Sequence, residues 1–403
     1  MADATCAGCG CACDDIEVTV AEGRLAGLTR TCALGDTWFA ERGGDRPPVA
    51  RVDGRTVRLD EAVDAAAAIL RQARAPLVYG LGQTSCEAQR RAVALAEAIG
   101  AVVDPAGGGA ADLAYQAIGS STGTFGEIRD RAELVVAWRA DPAATNPRLL
   151  GRLRLERAAR GSRALVVVDA PRTATAEEAD AFIELDAAHD FEALWALRAL
   201  TGGAPLDRDR IQGLPHDGLD DLAERLLGAR HVALIYGAVD ELSALALFSL
   251  VRDLSRDRHA VTLGLRGDGN ARGAEDVLAW QTGFPAAVNF ARGYPHANPG
   301  ELSAAALLER GEVDAALVVA SDPLEHLPAA AADRLRDLPT VVVDARATAT
   351  SQAARVAFVT AADGIEVPGT VHRMDGVPVP LRAPLAGERP SVEDVLAAIG
   401  GRL

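Results

Sequence analysis

Short runs of uninterrupted Val, Ile, Leu and Ala, each ended by Gly, Asp or Pro, recur along the chain and alternate with stretches whose apolar residues return at helical spacing. A run that is apolar at every position suits a strand covered by helices on both faces, as in a parallel sheet. Residues 60–74 carry Ala and Leu at helical spacing, and residues 87–99 begin with a polar turn, so both predict helices. Strand–helix alternation over most of the length predicts a doubly wound α/β fold. Two places break the pattern. Residues 14–30 alternate polar and apolar positions around Glu22-Gly23, and a shorter alternation surrounds Asp53-Gly54; each predicts a β-hairpin.

The runs also repeat. VVVDAPRTATA, residues 166–176, returns as VVVDARATATS, residues 341–351, with eight of eleven positions identical. LVVAWRADP from Leu134 is echoed by LVVASDP from Leu317, and Val78-Tyr79-Gly80 by Ile235-Tyr236-Gly237. Three features in one order in both halves predict duplicated, doubly wound parallel sheet modules. The expected division is a small β-rich cysteine domain (1–58), two α/β modules (59–205 and 206–362), and a C-terminal hairpin and helix (363–403). Ligands of such sheets bind beyond the carboxyl ends of the strands, which here carry Gly80, Asp141, Asp169, Gly237, Asp322 and Asp344. The same residue types also cap helices and close turns without any ligand.

Apolar residues make up 49% of the 403 positions but aromatics only 4%, so the cores must be built from Ala, Val and Leu. A net charge of −16 leaves no basic surplus for nucleic acid. Lysine is absent, which removes Walker A loops, Schiff-base chemistry and lysine bases. No apolar run approaches the ~18 residues of a membrane span, and no basic-then-apolar leader opens the sequence. A cytoplasmic protein is expected.

The densest chemistry is C-x2-C-x3-C-x18-C, formed by Cys6, Cys9, Cys13 and Cys32. Such thiolates can each bind one iron of a [4Fe-4S] cluster, while a tetrahedral zinc site is the competing reading. Cys11 offers a fifth thiol in the same loop. A disulfide framework would suit a short secreted chain instead. The hairpin expected over residues 14–30 would return Cys32 to the other three.

Beyond the cysteine head, the chain carries CDDIEV after the third cysteine, YGLGQTSCEAQR at Tyr79, DPAATNPR at Asp141 and VVVDAPRTATAEEAD at Val166. Two long blocks follow, LRGDGNARGAEDVLAWQTGFPAAVNFARGYPHANPGE from Leu265 and GIEVPGTVHRMDGVPVPLR from Gly364. Together these resemble the B subunit of formylmethanofuran dehydrogenase, in the molybdopterin oxidoreductase superfamily. The resemblance implies a [4Fe-4S] cluster on the four cysteines. It also implies two molybdopterin guanine dinucleotides with tungsten or molybdenum, cradled by strand-end loops that include Gly80, Asp141, Asp169, Thr173, Gly237, Asp322, Asp344 and Thr348. Arg266 aligns with a family arginine near the metal and would orient a formate-like carboxylate, the other reading being a surface arginine.

One departure cuts across these matches. The family binds its metal through a cysteine, beside a histidine, just before the segment matched by YQAIGSS at Tyr115. Residues 104–116 here read DPAGGGAADLAYQ, with neither; Gly107 to Gly109 would admit a close backbone or fill the space of a lost cofactor. Cys86, at a helix start, reads as a packed thiol. A bacterial branch of the family, the formyltransferase/hydrolase complex, resembles the archaeal enzyme without its redox step. The chain is accordingly expected to be a redox-silent B subunit that joins A, C and D subunits and serves a methanofuran-like C1 carrier. An active tungsten or molybdenum oxidoreductase interconverting CO2 and formate or formylmethanofuran is the alternative, and zinc-stabilised binding is a third reading. Trp280, Gln281, Tyr294, His296 and Asn298 would line a substrate channel, His296 also suiting a structural role, while His372 and Arg373 read as packing or interface residues. No Ser/His/Asp or H-E-x-x-H constellation is visible.

Overall fold

The computed structural model describes residues 2–44, 46–106, 110–207 and 211–403, so the run Gly107 to Gly109 lies outside the described residues. The chain forms two compact units, the first of Met1–Gly108 with Gly267–Leu403 and the second of Gly109–Arg266.

The first unit opens with an antiparallel sheet of β1 (Ala2–Cys6), β2 (Cys13–Ala21) and β3 (Arg24–Thr29). Glu22 and Gly23, at φ 51° and 74°, make the tight turn between β2 and β3. The helix Ala33–Gly43 leads to a second hairpin, β4 (Ala50–Val52) and β5 (Arg55–Thr56), turned by Asp53 and Gly54 at φ 47° and 76°. Helix Leu59–Gln72, β6 (Pro76–Gly80), helix Cys86–Ile99 and β7 (Val102–Pro105) follow. The second unit then supplies β8 (Leu134–Trp138), β9 (Ala164–Asp169), β10 (Ala181–Glu184), β11 (His231–Tyr236) and β12 (His259–Gly264). Back in the first unit come β13 (Val288–Asn289), β14 (His296–Ala297), β15 (Ala315–Val319), β16 (Thr340–Asp344) and β17 (Val356–Val359). The hairpin β18 (Gly369–His372) and β19 (Pro378–Leu381) and the helix Val392–Gly400 end the chain.

The second unit holds one parallel sheet in the order β10-β9-β8-β11-β12. In the first unit β17-β16-β15-β6-β7 run parallel in the corresponding order, flanked by β4-β5 and by β13-β14. The matched sequence features therefore occupy equivalent strands. Their partners, however, differ from the linear modules 59–205 and 206–362. β6 pairs with β15 rather than β8, and β11 pairs with β8 rather than β15. A parallel strand needs only a crossover connection and a matching apolar face, and the runs ending in Tyr79-Gly80 and Tyr236-Gly237 offer the same face to either sheet. The boundary at 58 shifts too, because β4 joins the edge of β17 through Val52 and Val356 instead of staying with the cysteine-bearing sheet.

Both faces of these sheets are buried. Along β6, Leu77 and Tyr79 enter one core with Ala316 and Leu335, while Val78 enters the other with Leu317 and Val341. That is the period-two alternation of a strand covered by helices on each side.

Strand order reverses between β6 and β15 in one unit and between β11 and β8 in the other, and a glycine stands at each reversal. A Cβ added to Gly80 would lie 2.4 Å from Val319 O, and one added to Gly237 would lie 1.9 Å from Arg139 O. Gly237→Ala should therefore cost about 3 kcal/mol in chemical denaturation. Gly228→Ala, where an added Cβ meets nothing within 4 Å, should change stability by less than about 1 kcal/mol. Equal effects would refute the close-approach account.

Candidate metal centre and strand-end crevices

Cys6 ends β1 and Cys13 begins β2, and the two face each other in the strand register. The loop between them carries Cys9 and Cys11 and is closed by Ala12 N donating to Cys9 O at 3.2 Å. The β2–β3 hairpin brings the chain back to Cys32, the N-cap of helix Ala33–Gly43. The first turn of that helix lies so close that a Cβ on Gly35 would stand 3.2 Å from Cys6 Sγ. Cys6, Cys9, Cys11 and Cys13 are buried and Cys32 half-buried.

Burial pushes the Cys6 thiol up to about 12, and the neighbouring Cys13, Cys9 and Cys32 add to the rise. The Gly8 amide, 3.4 Å from Cys6 Sγ, works against it. Cys11 is raised as well, first by its hydrogen bonds to Cys13 and Cys9 and then by burial. A thiolate in the setting of Cys6 needs positive metal charge to offset its desolvation and the repulsion of its neighbours. Among the described residues, no three His, Cys, Asp or Glu side chains converge on a single-ion site.

Around the cysteine loop lie Trp38 and Arg42 of the same helix. The Arg42 guanidinium sits 5.0 Å from the Trp38 ring centroid and donates to Trp38 O and to Gln83 Oε1. Burial, then repulsion from Arg346, lowers Arg42 to about 10. Trp38 Nε1 is buried with no hydrogen-bond partner. The C-terminal hairpin closes over the loop, with Met374 N donating to Gly10 O at 2.8 Å and Thr5 Oγ1 to Pro380 O at 2.8 Å. Grouped buried thiols, an orphan indole N–H and a buried cation form surroundings that fit an iron–sulfur cluster.

The strand-end residues answer differently. Asp141, after β8, accepts from Thr175 N at 2.8 Å and Thr175 Oγ1 at 2.6 Å. Asp322, after β15, accepts from Ala349 N and Thr350 N at 2.9 Å each and from the Thr350 hydroxyl. Each aspartate thus ties its own strand to the helix that follows the next strand. Thr348 is spent on a capping box with Ser351, and Thr173 N-caps the matching helix with its Oγ1 buried and unpartnered. Asp344 accepts from Arg346 N at 2.8 Å and faces the Arg346 guanidinium at 3.4 Å. Asp169 accepts from Ala170 N at 2.9 Å and Arg139 at 3.2 Å. Arg139, at φ 50°, also holds Asp190 bidentately at 2.7 and 2.9 Å. The equivalent residue of the other sheet is Ala320, at φ 48°. These donors and acceptors, Thr173 Oγ1 excepted, are therefore engaged within the chain and offer few free side-chain groups to a dinucleotide. Arg139, Asp190, Thr175 and Thr350 were not singled out from the sequence, although Arg139 stands out in WRADP against Ala320 in VASDP.

Arg266 follows β12, donating to its own Leu265 O at 3.1 Å, and its carbonyl accepts from Asn146 Nδ2 at 3.1 Å. Cys86 is buried against Asn270, and burial raises its thiol to about 11. Trp280 is 65% exposed and packs edge-on against His372, whose Nδ1 lies 2.7 Å from Asp276. Arg373 pairs with Asp375 at 2.7 Å. Tyr294 is exposed beside His296, and Asn298 N-caps the short helix Pro299–Leu302. Gln281 lines a cavity of about 340 Å³ with Arg90, Arg91 and Glu393. Asp104, in the segment that departs from the family pattern, accepts from Ala304 N at 2.6 Å, and burial raises its carboxyl to about 6.

Arg139→Met would strand Asp190, which is 2% exposed. The expected loss in denaturation is about 3 kcal/mol. Burial already raises the Asp190 carboxyl in the folded protein, and losing Arg139 raises it further. The protonated side chain then escapes the penalty, so the loss should be smaller near pH 5 than near pH 8. A loss below about 1 kcal/mol, the worth of an exposed pair, would contradict the knot.

No family model matches the chain. Among known proteins, it is 34% identical to the B subunit of the tungsten-containing formylmethanofuran dehydrogenase 2 of Methanocaldococcus jannaschii, over 94% of this chain and 92% of that one. The protein of the same description from Methanococcus maripaludis is 31% identical over the same shares. The B subunit of the formyltransferase/hydrolase complex Fhc of Methylorubrum extorquens is 31% identical over 65% of this chain and 72% of its own. The crystal structure of the formyltransferase/hydrolase complex FhcABCD from Methylorubrum extorquens with methylofuran matches at a TM-score of 0.72 and 28% identity, covering 88% of this chain and 98% of the matched one. With these identities over nearly the whole length, the chain belongs to the family of formylmethanofuran dehydrogenase B subunits.

Proposed function

We propose that this protein is redox-silent and works in a formyltransferase/hydrolase-type complex of cytoplasmic one-carbon (formyl/formate) metabolism. Its partners would be A, C and D subunits and a methanofuran-like C1 carrier, and its own part would be that of a scaffold. The matched FhcABCD structure, in complex with methylofuran, supports both the assembly and the class of carrier. The observation that carries the reading is the strand-end chemistry. Asp141, Asp169, Asp322, Asp344 and Thr348 bind their own chain, leaving few free groups for a guanine dinucleotide at either sheet. The lack of cysteine and histidine in residues 104–116 agrees with it, because a soft tungsten or molybdenum centre depends on its thiolate.

Cys6, Cys9, Cys13 and Cys32 would hold a [4Fe-4S] cluster. When bound, such a cluster cross-links the loop to the helix and can store one electron. Arg266 would serve at most as a positioning residue for an anionic C1 group.

The second reading, an active tungsten or molybdenum oxidoreductase, draws on the complete cysteine head and on the 94% coverage by tungsten enzymes against 65% by the Fhc protein. An assay of the co-expressed, anaerobically purified complex separates the two. With a formylated furan carrier, formate should appear while a viologen dye stays oxidised. Dye reduction that depends on the carrier would overturn the redox-silent reading.

A further inference from the structure

We infer that Trp38 donates its indole N–H to a sulfur of the cluster held by Cys6, Cys9, Cys13 and Cys32, and so helps to set that cluster's reduction potential. The inference rests on the cluster assigned above and adds a residue that the cysteine motif does not contain.

The starting observation is an unsatisfied donor. Trp38 is 5% exposed, and its Nε1 is buried with no partner. A buried N–H without an acceptor is costly, and folded chains keep few of them without a reason. Two contacts run the side chain along the segment that carries the first cysteine. A Cβ placed on Gly8 would lie 3.1 Å from Trp38 Cβ and 3.4 Å from Cys6 Sγ. A Cβ placed on Gly364 would lie 3.5 Å from the far ring atom Cη2 and 3.6 Å from Thr5 O. The ring is also fixed in place. Arg42 stacks 5.0 Å from its centroid, and Phe39 meets it edge-on at 4.8 Å. Swinging the indole out to water would break both contacts and expose a core aromatic.

The acceptor we assign to this donor is the cluster, because the Trp38 side chain runs beside the segment that holds its first ligand, Cys6. Its sulfides and thiolate sulfurs carry negative charge, and a hydrogen bond to them favours the more negative, reduced form. The Arg42 guanidinium, within electrostatic reach of Cys6, acts in the same direction. Removing the indole donor should therefore make the potential more negative without removing iron.

The test uses the complex co-expressed with its partner subunits, purified anaerobically, with tryptophan labelled by nitrogen-15. Pulsed EPR of the dithionite-reduced cluster should show a nitrogen-15 coupling that Trp38→Phe abolishes. The variant should keep its iron and titrate at a more negative midpoint potential. Trp38→His, which retains a ring N–H, should recover part of the shift. Cys32→Ser, which removes a ligand, should lose iron and so tests the cluster itself. Wild-type protein without iron would overturn the cluster and this inference together. Iron with no nitrogen-15 coupling would overturn this inference alone, as would a Trp38→Phe potential equal to wild type. Should Trp38→Phe fail to assemble, the wild-type coupling decides.

Discussion

Asp322 takes two backbone amides at 2.9 Å and the hydroxyl of Thr350, and Asp141 takes the matching amide and hydroxyl of Thr175. Each is a carboxylate at the end of one parallel strand holding the first turn of the helix behind the next. The rest of both sheets hangs on this stitch. It sets how the two strand ends sit side by side, and it satisfies amides at the start of helices only five residues long, which have few internal bonds of their own. These carboxylates are thereby engaged within the chain at the edge where α/β sheets ordinarily meet ligands. In the second unit Arg139 also engages both Asp169 and Asp190.

The cysteine head follows the opposite logic. Its thiols are grouped and all but Cys32 are buried; in Cys6 burial and neighbouring thiols oppose ionisation, as hydrogen bonds to Cys13 and Cys9 and then burial do in Cys11. A metal offsets that cost, whereas most of the strand-end side chains are engaged within the chain. A cluster held there would cross-link the β1–β2 loop and the helix Ala33–Gly43. The closing contacts from Met374 and Thr5 tie that head to the C-terminal hairpin, so stability of the head bears on the whole first unit.

Much of the architecture was legible in local chemistry. Glu22-Gly23 and Asp53-Gly54 announce hairpins because only such pairs accept two consecutive left-handed residues, and both turns are present. The helices Leu59–Gln72 and Cys86–Ile99 begin within a residue of where the spacing places them. Partner choice was not legible. The apolar runs before Tyr79-Gly80 and Tyr236-Gly237 are near copies, so nothing local says that β6 joins β15 and β11 joins β8. The roles of the strand-end aspartates depend on hydroxyls 28 and 34 positions away, beyond the reach of any short motif. Arg139 did leave a trace, as the one bulky cation in a repeat whose other copy has Ala320, but its partner Asp190 is 51 residues on. Trp38 left none, since an orphan N–H exists only in three dimensions.

The claim that the strand ends have closed over a lost redox centre is tested most directly by metal and pterin analysis of the complex, co-expressed with its partners and purified without oxygen. The account predicts about four irons per copy of this chain, with no stoichiometric tungsten, molybdenum or pterin. Tungsten or molybdenum together with pterin, at one or more per chain, would contradict it.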